Sequence, residues 1–280
     1  MRPTIHLNKG YVKNKVVVIT GASSGIGLAC AREFAQRGAS VSLGARSADK
    51  LEEIKHELAG KGYQVSITPC DVSNENDCRQ LIADTIQAFG KIDILINNAG
   101  ISMRALFKDV EMDVMHRLMN VNFWGAVYCT KYALPYLLEQ KGSVVGISSI
   151  AGFIGLPGRV GYSASKFAMH GFLETLRTEN LKTGLHVLIA APGFTASNVR
   201  KSALTATGKQ QGETPRSEDK MMSAEAVAVH LIHAIHRRKR TLVLTFLEGK
   251  FSVFLRKWWP SLVDRLTYKV MAKEPDSPFK

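Results

Sequence analysis

Val16-Val17-Val18-Ile19-Thr20-Gly21-Ala22-Ser23-Ser24-Gly25-Ile26-Gly27 is the stretch that decides the fold of this 280-residue chain. A short β-branched run passes into a glycine turn and then into a helical pattern, the opening of a βαβ unit. Working outward, the alternation repeats. Strands are predicted over 16–20, 40–45, 64–69, 92–97, 143–148, 186–191 and 241–245, with intervals long enough for crossover helices. Several runs are apolar throughout, as strands covered on both faces should be. Helix starts are legible at Ser47, Ser73 and Ser223, each a capping-type residue before a periodic apolar stretch. The expected fold is a doubly wound α/β domain with a seven-stranded parallel sheet.

Composition narrows the classes. Apolar residues at 45% and charged residues at 22% are ordinary for a folded globular protein and exclude disordered, collagen-like and coiled-coil chains. No run approaches the roughly 18 apolar residues of a transmembrane helix, and the first residues lack the apolar core of a signal peptide, so a cytoplasmic location is expected. Cys30, Cys70, Cys78 and Cys129 are scattered without metal-ligand spacing; they read as reduced thiols, and no metal site is predicted. The net charge of +13 is uneven: residues 231–280 hold 11 of the 37 Lys+Arg and only 4 of the 24 Asp+Glu. Within that excess, Arg237-Arg238-Lys239-Arg240 reads as a solvated turn before the last strand. Without interleaved aromatics it gives no reason to expect nucleic-acid binding.

The glycine turn carries the first chemistry. Gly21, Gly25 and Gly27 let the backbone turn tightly and approach a pyrophosphate at a helix N-terminus, with Ser23, Ser24 and Ile26 in the same loop. The second strand ends at Ala45-Arg46 and lacks the acidic residue that would hold a ribose 2′-hydroxyl. An arginine there suits a 2′-phosphate, favouring NADP(H) over NAD. Asp71, followed by Val72 just beyond the third strand, either accepts a hydrogen bond from an adenine amino group or is a turn residue.

Together with this turn, Asn97-Asn98-Ala99-Gly100, Asn122, Ser149, Tyr162-x-x-x-Lys166 and Pro192-Gly193 occur in family order and spacing. On these motifs the chain resembles the short-chain dehydrogenases/reductases over roughly residues 14–246, and in particular 11β-hydroxysteroid dehydrogenase-like and 3-ketodihydrosphingosine reductase-like members. The resemblance implies a Rossmann-type domain and ketone/secondary-alcohol oxidoreduction with the catalytic set Asn122, Ser149, Tyr162 and Lys166. By the same resemblance Lys166 also holds the nicotinamide ribose, Ser149 bonds the substrate oxygen and Asn122 anchors a water. Asn98, Ala99, Gly100, Pro192, Gly193 and Thr195 then line the cofactor, and a homo-oligomer, dimer or tetramer, is implied. The residues supply their own argument. Tyr162 and Lys166 stand four apart on one helix face, and a nearby ammonium stabilises a phenolate whose ordinary pKa is about 10.

Met103, Phe153, Ile154, Leu156 and Phe194 stand in loops expected beyond the strand ends and suggest a pocket for an apolar ketone or alcohol, with ordinary loop packing as the alternative. Residues 194–222, polar and aperiodic, read as a substrate loop. Beyond the sheet, Phe251, Phe254, Leu255 and Trp258, then Pro260, then Leu262, Leu266 and Val270 predict two short amphipathic helices with cations around them. Such an extension, residues 247–280, lies on an anionic membrane, packs over the substrate cleft or meets a second subunit. The expected boundaries are 1–13 for an N-terminal segment and 14–246 for the catalytic domain. A non-catalytic NADP-binding or peripheral membrane scaffold of the same fold remains the alternative function.

Overall fold

The computed structural model describes residues 10–193, 195, 202–212, 221–274 and 277–279. Its first half runs β1 (Val16–Thr20), α1 (Gly25–Gln36), β2 (Ser40–Ala45), α2 (Ala48–Ala59), β3 (Val65–Pro69), α3 (Glu75–Phe89) and β4 (Ile94–Asn97). Then come α4 (Met112–Met119), a π-helical turn (Asn120–Trp124), α5 (Gly125–Glu139), β5 (Ser143–Ile147), α6 (Val160–Glu179), β6 (His186–Ala191), α7 (Ala224–His236) and β7 (Thr241–Val243). The strands pair in parallel in the order β3-β2-β1-β4-β5-β6-β7. Chain direction across the sheet reverses between β1 and β4, and that switch point opens a crevice at the strand C-termini.

Strand alternation divides the core into two layers. Val17, Ile19, Ile94, Ile96 and Leu188 pack with Phe34 of α1, Leu51 of α2 and Ile235 of α7. Their neighbours Val18, Leu95, Val187 and Ile189 pack on the other face with Leu81 of α3, Leu137 of α5 and Leu173 of α6. Both faces are therefore covered, the condition for a parallel sheet.

Several strand ends shift by one or two residues, β3 starting at Val65, β5 ending at Ile147 and β7 at Val243, and two further shifts have a visible cause. The strand predicted from residue 92 begins at Ile94, because the buried Asp93 uses its carboxylate to accept the Val16 N–H at 2.9 Å and to pair with Lys15 and Lys91 at 3.2 and 3.0 Å. The helix predicted after Ser73 is capped by Asn74, whose side chain accepts the Asn76 N–H at 2.9 Å. Ser73 instead donates its hydroxyl to Asp71 at 2.7 Å. Ser223 caps α7 as predicted, accepting from the Ala226 N–H at 3.2 Å.

Beyond β7 a π-helical turn (Phe246–Phe251) leads into α8 (Ser252–Trp258) and α9 (Pro260–Ala272), the two helices expected on either side of Pro260. Val263 and Met271 turn inward, while Phe251, Phe254, Trp258, Trp259, Leu262 and Leu266 stand exposed. Among the described residues no helix is long and apolar enough to cross a membrane.

Candidate active site

The glycine turn closes on itself. Gly21 and Gly25 adopt positive φ of 64° and 53°, which costs glycine nothing and strains other residues. A Cβ on Gly27 would lie 2.3 Å from the Gly21 carbonyl oxygen and 2.5 Å from Asn98 Nδ2, so this helix start requires glycine. Asn98 locks the turn from β4, donating through Nδ2 to the Thr20 and Gly21 carbonyls at 2.9 and 3.1 Å. Thr20 Oγ1 in return accepts the Asn98 and Ala99 N–H groups at 3.0 and 3.1 Å. Asn97 points the other way and donates to Thr130 Oγ1 at 3.0 Å, fastening β4 to α5.

A cleft of about 480 Å³ runs along the strand ends. Gly21, Ser23, Ser24, Gly25, Ile26, Arg46, Asp71, Val72, Asn98, Ala99 and Gly100 line it at one end. Ser149, Leu156, Tyr162, Lys166, Pro192, Gly193 and Thr195 line it at the other. Arg46 is exposed at the rim and makes no ion pair among the described residues. Asp71 spends one oxygen on the Ser73 N–H and hydroxyl, an Asx turn that leaves the second oxygen to the cleft.

At the second end α6 and β5 converge. Lys166 sits four residues beyond Tyr162, its Nζ 5.8 Å from the phenol ring centre and donating to the Ile147 carbonyl at 2.9 Å. Burial pushes the Lys166 ammonium down to about 8. The sequence argument expected the ammonium to draw the Tyr162 phenol below its ordinary value. The phenol is raised instead: its burial outweighs the Ser149 hydrogen bond and the Arg159 charge, both of which favour phenolate. Ser149 itself stands two residues beyond β5 and caps the short turn that follows, accepting the Ala151 N–H at 3.2 Å.

Asn122 is fully buried in the π-helical turn, behind the cleft wall rather than on it. Its amide brackets Ile101, accepting the N–H at 2.8 Å and donating to the carbonyl at 2.9 Å, and also donates to Ser165 Oγ at 2.9 Å. A π-turn is a common device for aiming a side chain at a site, and here it ties the strand-end loop to α6.

Of the apolar residues expected to meet substrate, Leu156 lines the cleft, while Met103 and Phe153 do not. Met103 is fully buried with Val114, Leu118 and Leu204, and Phe153 packs edge-on against His170, ring centres 4.5 Å apart. Both loops fold back onto the body, burying Met103 fully and Phe153 in part. Ile154 is likewise buried. Phe194 and much of the 194–222 loop lie outside the described residues. Four residues that sequence reasoning passed over also matter: Arg117, Arg159 and Ser148 line the cleft, and His170 accepts or donates a 2.6 Å hydrogen bond with Ser148. His170 follows Tyr162 at i+8 and Lys166 at i+4 on the same face of α6, a spacing that was readable. Burial and the Lys166 charge push its imidazole down to about 4, so it is neutral. All four cysteines are buried free thiols.

A doubly wound parallel sheet with a glycine turn at its switch point, and a Ser–Tyr–Lys group across the same cleft, defines a dinucleotide-dependent oxidoreductase class. Residues 15–207 match the short chain dehydrogenase family, and the chain belongs to it. It is 36% identical over 275 residues to "Dehydrogenase/reductase SDR family member 7B" of Mus musculus, covering 96% of this chain and 85% of that protein. It is 45% identical over 198 residues to "11-beta-hydroxysteroid dehydrogenase-like 2" of Arabidopsis thaliana, covering 69% and 63%. Among solved structures, an alcohol dehydrogenase from the archaeon Thermococcus sibiricus, complexed with 5-hydroxy-NADP, superposes with a TM-score of 0.74 at 26% identity, over 84% of this chain and 98% of that one.

Proposed function

We propose that this chain is an NADP-dependent oxidoreductase that interconverts a ketone and a secondary alcohol on an apolar, lipid-like substrate such as a steroid, a retinoid or a keto-acyl chain. The observation that carries the reading is a single cleft with the glycine turn and Arg46 at one end and Ser149, Tyr162 and Lys166 at the other. A bound nicotinamide supplies or accepts hydride. The Ser149 and Tyr162 hydroxyls hold the substrate oxygen, and the Tyr162 hydroxyl releases its proton in reduction and takes one in oxidation. Lys166, pinned by the Ile147 carbonyl, favours the phenolate and reaches toward the nicotinamide ribose; Asn122 fixes the backbone at Ile101 that faces it. The free Arg46 cation supports preference for the 2′-phosphate, and Ile101, Val121, Leu156 and Leu204 supply apolar wall to the cleft.

The test is NADPH consumption, with NADH in parallel, against ketones graded from small aliphatic to steroid and long-chain acyl, with Tyr162→Phe as control. Turnover that rises with apolar size and vanishes in the variant is expected. A preference for small polar sugars overturns the substrate class. Tight NADPH binding without turnover across the panel favours the non-catalytic alternative.

The extension supports a second element of the reading, contact with an anionic membrane surface through residues 250–271. Phe254, Trp258 and Trp259 are 57–60% exposed, too much apolar surface for solvent alone, and Lys250, Lys257, Arg265 and Lys269 are exposed beside them. Vesicles containing an anionic phospholipid should sediment the full chain, and Trp258→Ala/Trp259→Ala should remain in the supernatant. Self-association is supported separately by the exposed Trp124 and Phe167, on the segments that carry Asn122 and Tyr162, and is read by light scattering.

A further inference from the structure

The end of the chain returns to the cleft. After α9 the Glu274 N–H bonds the Met271 carbonyl, Ser277 Oγ donates to that same carbonyl at 3.1 Å, and the Phe279 ring packs tilted against Tyr268, centres 5.1 Å apart. This folds the segment onto the loop before α6, so closely that a Cβ on Gly158 would stand 3.2 Å from Pro278. The fold thereby sets Glu274, only 4% exposed, between two nearly buried arginines. Its Oε2 lies 3.4 Å from Arg159 and 3.8 Å from Arg104, while the other arm of the Arg159 guanidinium donates to the Met103 carbonyl at 3.3 Å.

Burying three charges is a poor way to gain stability, because desolvation cancels most of their attraction. What it does well is fix a guanidinium in one orientation. Arg159 is the residue from which α6 starts, three before Tyr162, and it lines the same cleft as Tyr162, Ser149 and Lys166. Met103 and Glu274, which contact its guanidinium, lie far from α6 in sequence.

We propose that Glu274 is a positioning residue of the active site: it holds the Arg159 guanidinium beside the cleft and so makes the C-terminal segment part of the electrostatic surroundings of the Tyr162 hydroxyl. The inference rests on the reading of Tyr162 as the proton-transfer group. Among the described residues, the ionisable groups set around Tyr162 are Arg159 at the start of α6, Arg117 of α4 on the cleft wall and Lys166 on α6, which burial brings down to about 8 so that it is neutral by the pH at which the raised phenol titrates; Glu274 reaches the site through Arg159 and Arg104 through Glu274, and His170 farther along α6 is neutral. Arg159 favours the phenolate, so the position of its charge matters to the proton transfer. Without the carboxylate, the guanidinium loses the charged contact that fixes this arm beside the cleft.

The test is a titration of Tyr162 in the full-length, cofactor-free chain labelled with 13Cζ-tyrosine, its resonance assigned by its loss in Tyr162→Phe. Glu274→Gln should raise the Tyr162 midpoint by about half a pH unit to one unit, Arg159→Gln should raise it as much, and the double variant should add nothing further. Glu274→Asp, which keeps the charge, should recover most of the native value. A downward movement in Glu274→Gln would mean that Glu274 acts only as a charge opposing Arg159, and an unmoved midpoint would mean that it does not act on the site; either overturns the proposal. Where Glu274→Gln does not fold, Arg159→Lys serves: it keeps a charge but cannot hold Met103 and Glu274 together, and should raise the midpoint, with no change overturning the proposal. The titration uses neither substrate nor cofactor. Absence of turnover with every ketone therefore refutes the enzymatic reading alone, whereas an unmoved midpoint in an active enzyme refutes only the positioning role.

Discussion

At the end of the cleft proposed for the nucleotide the wall is backbone, shaped by glycines whose missing side chains are required by neighbours less than 3 Å away and tied by the Asn98 amide. At the end proposed for proton transfer the wall is largely side chains from the strand-end loops and α6, with buried charged groups in it, Lys166 and Arg159, and Glu274 behind Arg159. Backbone hydrogen bonds hold a shape and offer little to adjust. Desolvated charges hold a shape less economically, but each one moves the proton affinity of its neighbours, and that is what a proton-transfer site needs. The nucleotide end should therefore fail through sterics and the other end through electrostatics.

The largest expected effect tests whether the ends are separable at all. Tyr162→Phe removes one hydroxyl, the group read as general acid, and should lower turnover by about 10²- to 10⁴-fold. NADPH affinity, measured by fluorescence titration, should change far less. Loss of both together would show that the Tyr162 hydroxyl also supports the cofactor end, and the comparison would break.

His170 gives the next effect and isolates the electrostatic cost of the proton-transfer end. Its folded-state value, about 4, lies below the ordinary 6.5, so the native state resists a proton that the unfolded chain accepts. Its contribution is thus present above pH 6.5 and is lost as pH falls toward 4, up to about 3 kcal/mol. His186, His230 and His233 are also lowered by burial and act in the same direction, so the readout is a difference between variants. Urea unfolding of the native chain should weaken steeply across that window, and His170→Gln should flatten the slope. Parallel curves would remove His170 from the account.

Gly27→Ala addresses the backbone end. The new methyl would meet the Gly21 carbonyl and the Asn98 amide at 2.3 and 2.5 Å, and relief requires the turn to open. A cost of about 1–3 kcal/mol follows, seen as NADPH binding weakened by up to about 100-fold, with turnover at saturating cofactor retained. Equal loss of saturated turnover would show that the two ends share one rigid frame.

The same contrast explains what could be read in advance. Gly21, Gly25, Gly27 and Asn98 act on neighbours set by β1 and β4, and their constraint is written in the local spacing of glycines after a β-branched run. The pairing of Tyr162 with Lys166 was legible in helix periodicity, Ser149 through the motifs that resemble the family together with its place after a strand, and Pro260 marked the break between α8 and α9. Arg159 and Glu274 were not legible, since their pairing depends on where the chain terminus folds, more than one hundred residues away. Met103 and Phe153 were misplaced for a related reason: a loop's apolar side chain faces the cleft or the core according to tertiary packing, and alternation in the sequence does not decide which. The depressed phenol expected for Tyr162 failed because proximity of an ammonium was weighed without the burial that opposes it.

Arg46 sharpens the comparison from the other side, since it is a charged element at the end built from backbone. It is exposed at the rim of the cleft and engages no carboxylate among the described residues, so its charge is available to a ligand phosphate but screened by water and salt. Replacing it with alanine should weaken NADPH binding about tenfold and leave NADH binding unchanged, a smaller effect than any above because an exposed charge-assisted contact contributes only a modest net amount. Raising the salt concentration should narrow the NADPH advantage of the native chain and leave the variant unaffected. Should NADH affinity fall in parallel, Arg46 would be supporting the start of α2 rather than reading a phosphate, and cofactor preference at this end would have to come from the backbone turn alone.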